Sequence, residues 1–338
     1  MNIFDTTVLN KVVAELRAPA PFLLNSFFQT FQTEQSEEIH FDVDSGRRRL
    51  APFVSPVVAG QVVQSQGYTT KSFKPAYIKD KRVFDANRPF KRAIGERIGG
   101  QLTPDQRLQL ALAGDLSDQI GMLTRRQEVM AAEVLRTGKI TVEGDLYPRV
   151  VVDFGRHADL TPSALTSTAR WGQSAAKPLE NLQDWSLAVT KHSGATASTV
   201  IMDAKSYAAF SADPAVKELL DRFRGQDALN PTVLGEGGRF MGSLGNFDIW
   251  VYAGWYEHPT TGALTPYLPD GTVIITSPDL EGVRAYGAIK DETAGFQALP
   301  FFSKSWIEQD PAVRYLLLQS APLIVPYRVN ASLCATVL

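Results

Sequence analysis

The most regular hydrophobic pattern lies between Thr103 and Gly138, where Leu108, Leu112, Leu116, Ile120, Leu123, Met130 and Val134 recur in steps of three and four. That period is one face of an α-helix, so a single amphipathic helix is predicted over 104–137. Its ends are marked too. Thr103 suits an N-cap, Pro104 the first helical position and Gln106 a capping box, while Gly138 offers a left-handed stop. Such a helix is a rod on the order of 50 Å long, a spine rather than a typical globular helix. Gly114 and Gly121 lie inside it, each costing about 1 kcal/mol relative to Ala.

Around the spine the pattern shortens. KITVEGDL (139–146) and RVVVDFGR (149–156) predict two strands joined by a tight turn. Further strands are expected at 199–203, 247–252, 272–277 and 282–289, with two more in the tail, separated near Pro322 and Pro326. Helices are predicted over 179–193, 204–211 and from Asp213 to about Arg224. The Ser/Thr/Ala-rich stretch 161–176 and the glycine-rich stretch 225–246 are expected to be loops. At the start, Val8, Val12, Val13 and Leu16 predict a short amphipathic helix. The cluster Phe22, Phe27, Phe28 and Phe31 fits either a helix docked on its own core or an arm resting on a neighbour. The second reading makes Phe27 and Phe28 inter-subunit contacts.

One segment fits no ordinary core. Leu50–Gly67 (LAPFVSPVVAGQVVQSQG) favours extended structure but is broken by Pro52, Pro56 and Gly60. Each proline removes a ladder donor, so this strand does not belong in the middle of a sheet. It precedes a basic, aromatic-dotted stretch from Lys71 to Arg92. Together they predict a long arm or hairpin that needs a partner's surface. Val54, Pro56, Val57, Val58 and Val62 are its candidate contacts. The chain therefore reads as an assembly subunit rather than a lone enzyme.

Composition removes several alternatives. With 338 residues, 44% apolar and 21% charged, the chain has enough material for one large or two medium domains and is not disordered overall. Its 34 basic and 36 acidic residues give no general attraction to nucleic acid. The single cysteine, Cys334, permits no internal disulfide and no cysteine-based metal site. It is expected as a small apolar residue of a terminal strand. The N-terminus lacks the form of a signal peptide, and no apolar run reaches the roughly 18 residues of a membrane span. A soluble product of a reducing compartment is expected.

Catalytic signals are missing. His40, His157, His192 and His258 form no helical metal-binding pair, and there is no G-x-S-x-G elbow. Asp42 and Asp44 alternate on an extended segment without further ligands, and Arg47–Arg49 read as a solvated or subunit-pairing charge cluster. GEGGR (235–239) lacks the G-K-[ST] ending of a phosphate loop. No enzyme, cofactor or metal is expected.

Several blocks in order carry a resemblance. The arm holds Phe53, Val54, Ser55, Pro56, Val57, Val58, Gly60 and Val62. The strand pair opens on Thr137, Gly138 and Lys139 and closes on Val152, Asp153, Phe154, Gly155 and Arg156. Later come Leu268-Pro269-Asp270, Arg284 with Tyr286-Gly287, Asp310-Pro311-Ala312 and Gln319-Ser320-Ala321-Pro322-Leu323. In these blocks the chain resembles the major capsid proteins of lambda-like tailed bacteriophages over roughly residues 20–338.

The resemblance implies an α+β Hong Kong-97-type capsid fold. On this chain its parts would be an N-terminal arm (1–43), an E-loop hairpin (44–92), a peripheral domain (93–160 with 300–338) and an axial domain (161–299). It implies a homo-oligomer of pentamers and hexamers in an icosahedral shell around double-stranded DNA. Scaffold, portal and decoration proteins would be partners, with assembly in the host cytoplasm and residence in the virion. A nanocompartment shell of the encapsulin type is the nearest alternative. A soluble hydrolase with an unrecognised site is the alternative from another class.

Overall fold

The computed structural model describes residues 4–16, 20–36, 38–44, 50–51, 68–84, 88–92, 96, 102–144, 147–220, 233–234, 237–310 and 313–338. Val54, Pro56, Val57, Val58 and Val62 lie outside the described residues. The chain opens with helices α1 (Thr6–Glu15) and α2 (Phe22–Phe27), then strands β1 (Thr30–Thr33), β2 (Ile39–Asp44), β3 (Tyr68–Phe73) and β4 (Ile78–Phe84). The spine α3 (Pro104–Thr137) leads into the hairpin β5 (Lys139–Gly144) and β6 (Tyr147–Asp153). There follow α4 (Pro178–Ser193), β7 (Thr199–Met202), α5 (Ala204–Ala212), α6 (Pro214–Leu219), β8 (Val233–Leu234), β9 (Gly238–Leu244) and β10 (Phe247–Tyr252). The remaining strands are β11 (Trp255–Glu257), β12 (Leu264–Pro266), β13 (Thr272–Thr276), β14 (Gly282–Tyr286), β15 (Phe302–Glu308), β16 (Val313–Ser320), β17 (Pro322–Pro326) and β18 (Ser332–Thr336).

The spine has the ends its sequence predicts. The Thr103 hydroxyl accepts from the Gln106 amide at 3.3 Å, and the Gln106 side chain accepts from the Thr103 amide at 2.9 Å. Gly138 closes the helix at φ 68°, where an added Cβ would lie 2.6 Å from Cβ of Arg156. Only glycine meets both the left-handed backbone and that close approach.

A six-stranded sheet runs β18-β13-β7-β10-β9-β8, with β7 and β10 parallel and β13 antiparallel to both β7 and β18. Strand alternation sends its side chains into two cores. Val200, Met202, Ile249, Val273 and Ile275 meet Leu182 and Val189 of α4 and Phe210 of α5. Ile201, Tyr252 and Ile274 meet Met130, Ala131, Val134 and Leu135 of α3. The sheet is thus a filled layer between the spine and the α4–α5 helices, which is why its strands read as nearly continuous apolar runs.

The other half of the spine supports a smaller sheet, ordered β15-β16-β4. Phe84, Leu316 and Leu318 pack on Leu112, Leu116, Ile120 and Leu123, with Leu9 and Val13 of α1 completing the core. A third sheet, β1-β14-β17, joins the N-terminal segment to the tail.

Two expectations are corrected. Within 225–246, residues 238–244 form β9, paired antiparallel to β10. The glycine signal had a different source there: Gly242 sits opposite a register shift at Ile249/Trp250, and Gly245 is a hairpin turn at φ 60°. The tail carries three strands after residue 312, β16, β17 and β18. Moreover β4, within the basic stretch assigned to the arm, pairs with β16 in the body over Ile78–Phe84.

Candidate assembly surfaces

The predicted arm departs from an antiparallel stem, β2 with β3, registered from Ile39–Phe73 to Asp44–Tyr68. Its root is fixed to the body in two ways. The ring of Phe41 packs 5.2 Å from that of Phe154, and Lys71 Nζ donates to the Asp153 carbonyl at 2.7 Å. Burial alone would raise the Asp153 carboxyl. Lys139, the Gly155 amide and Lys71 outweigh it and hold the group below the usual carboxylate range.

The N-terminal segment is held more firmly. Glu128 projects from the spine and accepts from the Leu23 and Leu24 amides at 2.8 and 3.0 Å and from the Tyr252 hydroxyl at 2.8 Å. Burial pushes this carboxyl above its ordinary value, and the three donors only partly offset the loss of water. Arg284 donates to the Phe28 carbonyl at 2.7 Å and to Asn25 Oδ1 at 2.9 Å, clamping the end of α2. Phe28 is fully buried in its own chain, and Phe27 packs half-buried beside it. Of the two readings of the phenylalanine cluster, the docked helix is the one observed. Within the single chain the Phe28 ring fills this subunit's own core. An added Cβ at Gly282 would strike the Phe27 carbonyl and the Phe28 ring, so this crossing also requires glycine.

At the far end of the spine Arg156 caps the helix. Its guanidinium donates to the carbonyls of Val134, Leu135 and Arg136 at 2.8, 2.9 and 3.1 Å and to Ser332 Oγ at 2.7 Å. Enclosure pushes Arg156 down to about 10 and the neighbouring Cys334 thiol up to about 11. Cys334 sits in β18, as a structural rather than a reactive residue.

Several faces stay open. On the outer side of β15-β16-β4, Lys81 Nζ lies 3.8 Å from the Tyr315 ring centre, and Tyr315 is 5.4 Å from Trp306. Val83 flanks them and is more than half exposed; Ile307, also more than half exposed, lies at the end of β15 on the opposite pleat. A hollow of about 660 Å³ lies between the spine and the β11–β12 hairpin, bordered by Met122, Arg125, Trp255 and Leu264. Another of about 470 Å³ opens between α4 and the β9–β10 turn, bordered by Leu187, Leu219 and Phe247. Among the described residues, exposed apolar side chains thus occur at several separate places.

Sequence reasoning missed Glu128, the Lys81 face and the anchoring role of Arg284, which it singled out only as part of a family block. Glu128 left one readable signal, a charge inside the apolar stripe between Leu123 and Val134. Among the described residues, three potential metal ligands meet at His157, Asp159 and His192. No helix there is long and apolar enough to cross a membrane.

Known proteins share this arrangement. The chain is 28% identical to the major capsid protein of Escherichia phage lambda over 314 residues, covering 90% of each. It is 26% identical to the major capsid protein of Enterobacteria phage phi80 over 334 residues, covering 96% of each. It superposes on a crystal structure described as a prophage capsid protein of E. coli CFT073 with a TM-score of 0.74 at 24% identity, covering 98% and 96% of the two chains. For the capsid of Ralstonia phage GP4 the TM-score is 0.52 at 11% identity, covering 94% and 91%. The fold is the Hong Kong-97-type capsid fold. The profile of the phage major capsid protein E family matches residues 5–337, and the chain belongs to that family.

Proposed function

We propose that copies of this chain, as a major capsid protein, build the icosahedral shell of a tailed phage around packaged double-stranded DNA. One observation carries the reading. The family match runs from residue 5 to 337 and so includes the arm and hairpin segments as well as the packed core. Those segments are the parts a shell needs and a self-contained enzyme does not.

The parts proposed are the N-terminal arm at 1–43, the E-loop at 44–92, the peripheral domain at 93–160 with 300–338, and the axial domain at 161–299. One amendment follows from strand pairing: β18 lies beside β13, so residues 332–336 return to the axial sheet. Axial domains would form the rings of five and six. An isolated two-stranded hairpin is marginal in water. Laying the E-loop on a neighbour removes apolar surface from water at about 25 cal/mol per Å², which favours assembly. Heterologous contacts must close, or open aggregates result. Near-neutral charge suits a container, since a strongly basic wall would bind DNA and oppose its release. Scaffold, portal and decoration proteins are the partners proposed, with assembly in the host cytoplasm.

The test is the double substitution Val57→Asp with Val58→Asp. It should abolish particles in electron micrographs while leaving a soluble, folded subunit; normal particles would overturn the reading. A nanocompartment shell would have the same fold, but the relatives by sequence are phage capsid proteins. Sedimentation separates the hydrolase reading, which requires a monomer or small oligomer under all conditions.

A further inference from the structure

We propose that His157, Asp159 and His192 form a binding site for a divalent transition metal such as Zn²⁺ or Co²⁺, stapling the segment after β6 to the end of α4. One ligand atom from each residue lies within 4.8 Å of the others. Asp159 Oδ2 is 2.9 Å from His192 Nε2 and 3.6 Å from His157 Nδ1. The two imidazoles stack with centres 3.9 Å apart and planes 23° from parallel, both beside the one carboxylate.

The carriers are held in place. The His157 amide donates to Asn330 Oδ1 at 2.9 Å, and its carbonyl accepts from the Leu160 amide at 3.0 Å, fixing the short turn that bears Asp159. His192 lies in the last turn of α4, where Arg328 donates to the Ser193 carbonyl at 2.9 Å and Gly194 ends the helix. His157 and Asp159 are exposed and His192 half-buried, so an ion reaches the group from solvent.

Bonds of about 2.0–2.2 Å to a tetrahedral ion place ligand atoms on the order of 3.3 Å apart. Closing the present spread requires the two imidazoles to turn out of their stack, so that both ring planes contain the ion. Two imidazole nitrogens and one carboxylate oxygen favour zinc, cobalt, nickel or copper over magnesium or calcium. Water would complete the coordination. The ion competes with protons for the imidazole nitrogens and the carboxylate, so binding weakens in acid. His157 Nδ1 now accepts from the Asp159 amide at 3.2 Å. It either gives up that bond or turns its ring to offer Nε2.

In the partition proposed above, His157 and Asp159 end the peripheral segment and His192 belongs to the axial one. The idea of a clamp across that junction rests on that reading; the binding site itself does not. The test uses the untagged full chain, stripped of metal and titrated with Zn²⁺ and Co²⁺. Expected are a single saturable site by calorimetry, visible Co²⁺ absorption of low-coordinate type, a higher Tm with Zn²⁺ and no response to Mg²⁺. His157→Ala and His192→Ala should each weaken binding by about tenfold or more, while His40→Ala and His258→Ala should not. His192→Gln replaces the alanine variant if that one melts early without metal. Absence of saturable Zn²⁺ binding, or binding that persists in both site variants, would overturn the proposal. So would its loss in the His40 or His258 variant. Particle yield in micrographs, read separately, bears on the shell function and leaves the binding result untouched.

Discussion

The two sheets that share the spine are finished to different degrees. The six-stranded sheet has the spine on one face and α4 and α5 on the other, and every residue of its strand β13 is buried. The β15-β16-β4 sheet has the spine on one face only, and its other face carries Lys81, Val83, Trp306 and Tyr315. The first is covered on both faces by elements of the same chain. The second keeps apolar and aromatic surface beyond what the single chain covers, as expected where subunits meet. Folding stability and assembly competence are therefore separable by position.

The sharpest break of that contrast compares two isoleucines. Ile274 is fully buried between β13 and the spine, whereas Ile307 on β15 is 57% exposed. Ile274→Ala should cost about 2–5 kcal/mol through lost contacts and a residual cavity. Ile307→Ala should change subunit stability by less than about 0.5 kcal/mol. Urea unfolding of the unassembled subunit reads both, and equal shifts in midpoint would remove the distinction.

The same difference decided what the sequence could reveal. TVIMD and TVIITS have no polar face to disguise them, and both become central strands, β7 and β13. The spine was readable to the residue because its caps and stop are local chemistry. In IKDKRVF and FSKSWIE, charged residues alternate with apolar ones on a half-open sheet, and these became β4 and β15. The first was absorbed into the arm and the second was missed, since their burial depends on a spine far away in sequence. The anchors Glu128 and Arg284 were hidden for a related reason: their partners lie more than a hundred residues away along the chain. His157 and His192 likewise meet only through the fold.

An effect of similar size is expected where the closed region holds the N-terminal segment. Glu128→Ala leaves the Leu23 and Leu24 amides without their acceptor, at about 1–3 kcal/mol for each orphaned donor. Glu128→Gln keeps the shape and removes the titration. The folded carboxyl binds its proton above the ordinary value of 4.5. A raised carboxyl contributes stability that is fully present below its unfolded value and lost as pH rises through the folded one. The stability of the native protein relative to Glu128→Gln should therefore fall as pH is raised from 4.5, the ordinary value for this group. Denaturant midpoints of both proteins across that range give the sign, and a difference that grows with pH would contradict the burial argument.

The smallest effect on the subunit, and the most telling for the open sheet, concerns Lys81. Its ammonium lies over Tyr315 at 3.8 Å and Trp306 at 5.5 Å, at the surface and in water. Exposed cation–π contacts are worth about 0.5–1 kcal/mol, so Lys81→Ala should lower subunit stability by no more than that. If this face meets a neighbour, the same change removes a charge held against two rings that become desolvated on contact, where such pairs strengthen to about 2 kcal/mol or more. Repeated around a closed shell, the loss should appear as a clear drop in particle yield beside a nearly unchanged urea midpoint. Unaltered yield would mark the open face as solvent surface in the particle and move the contact to the hollows lined by Trp255 or Leu187.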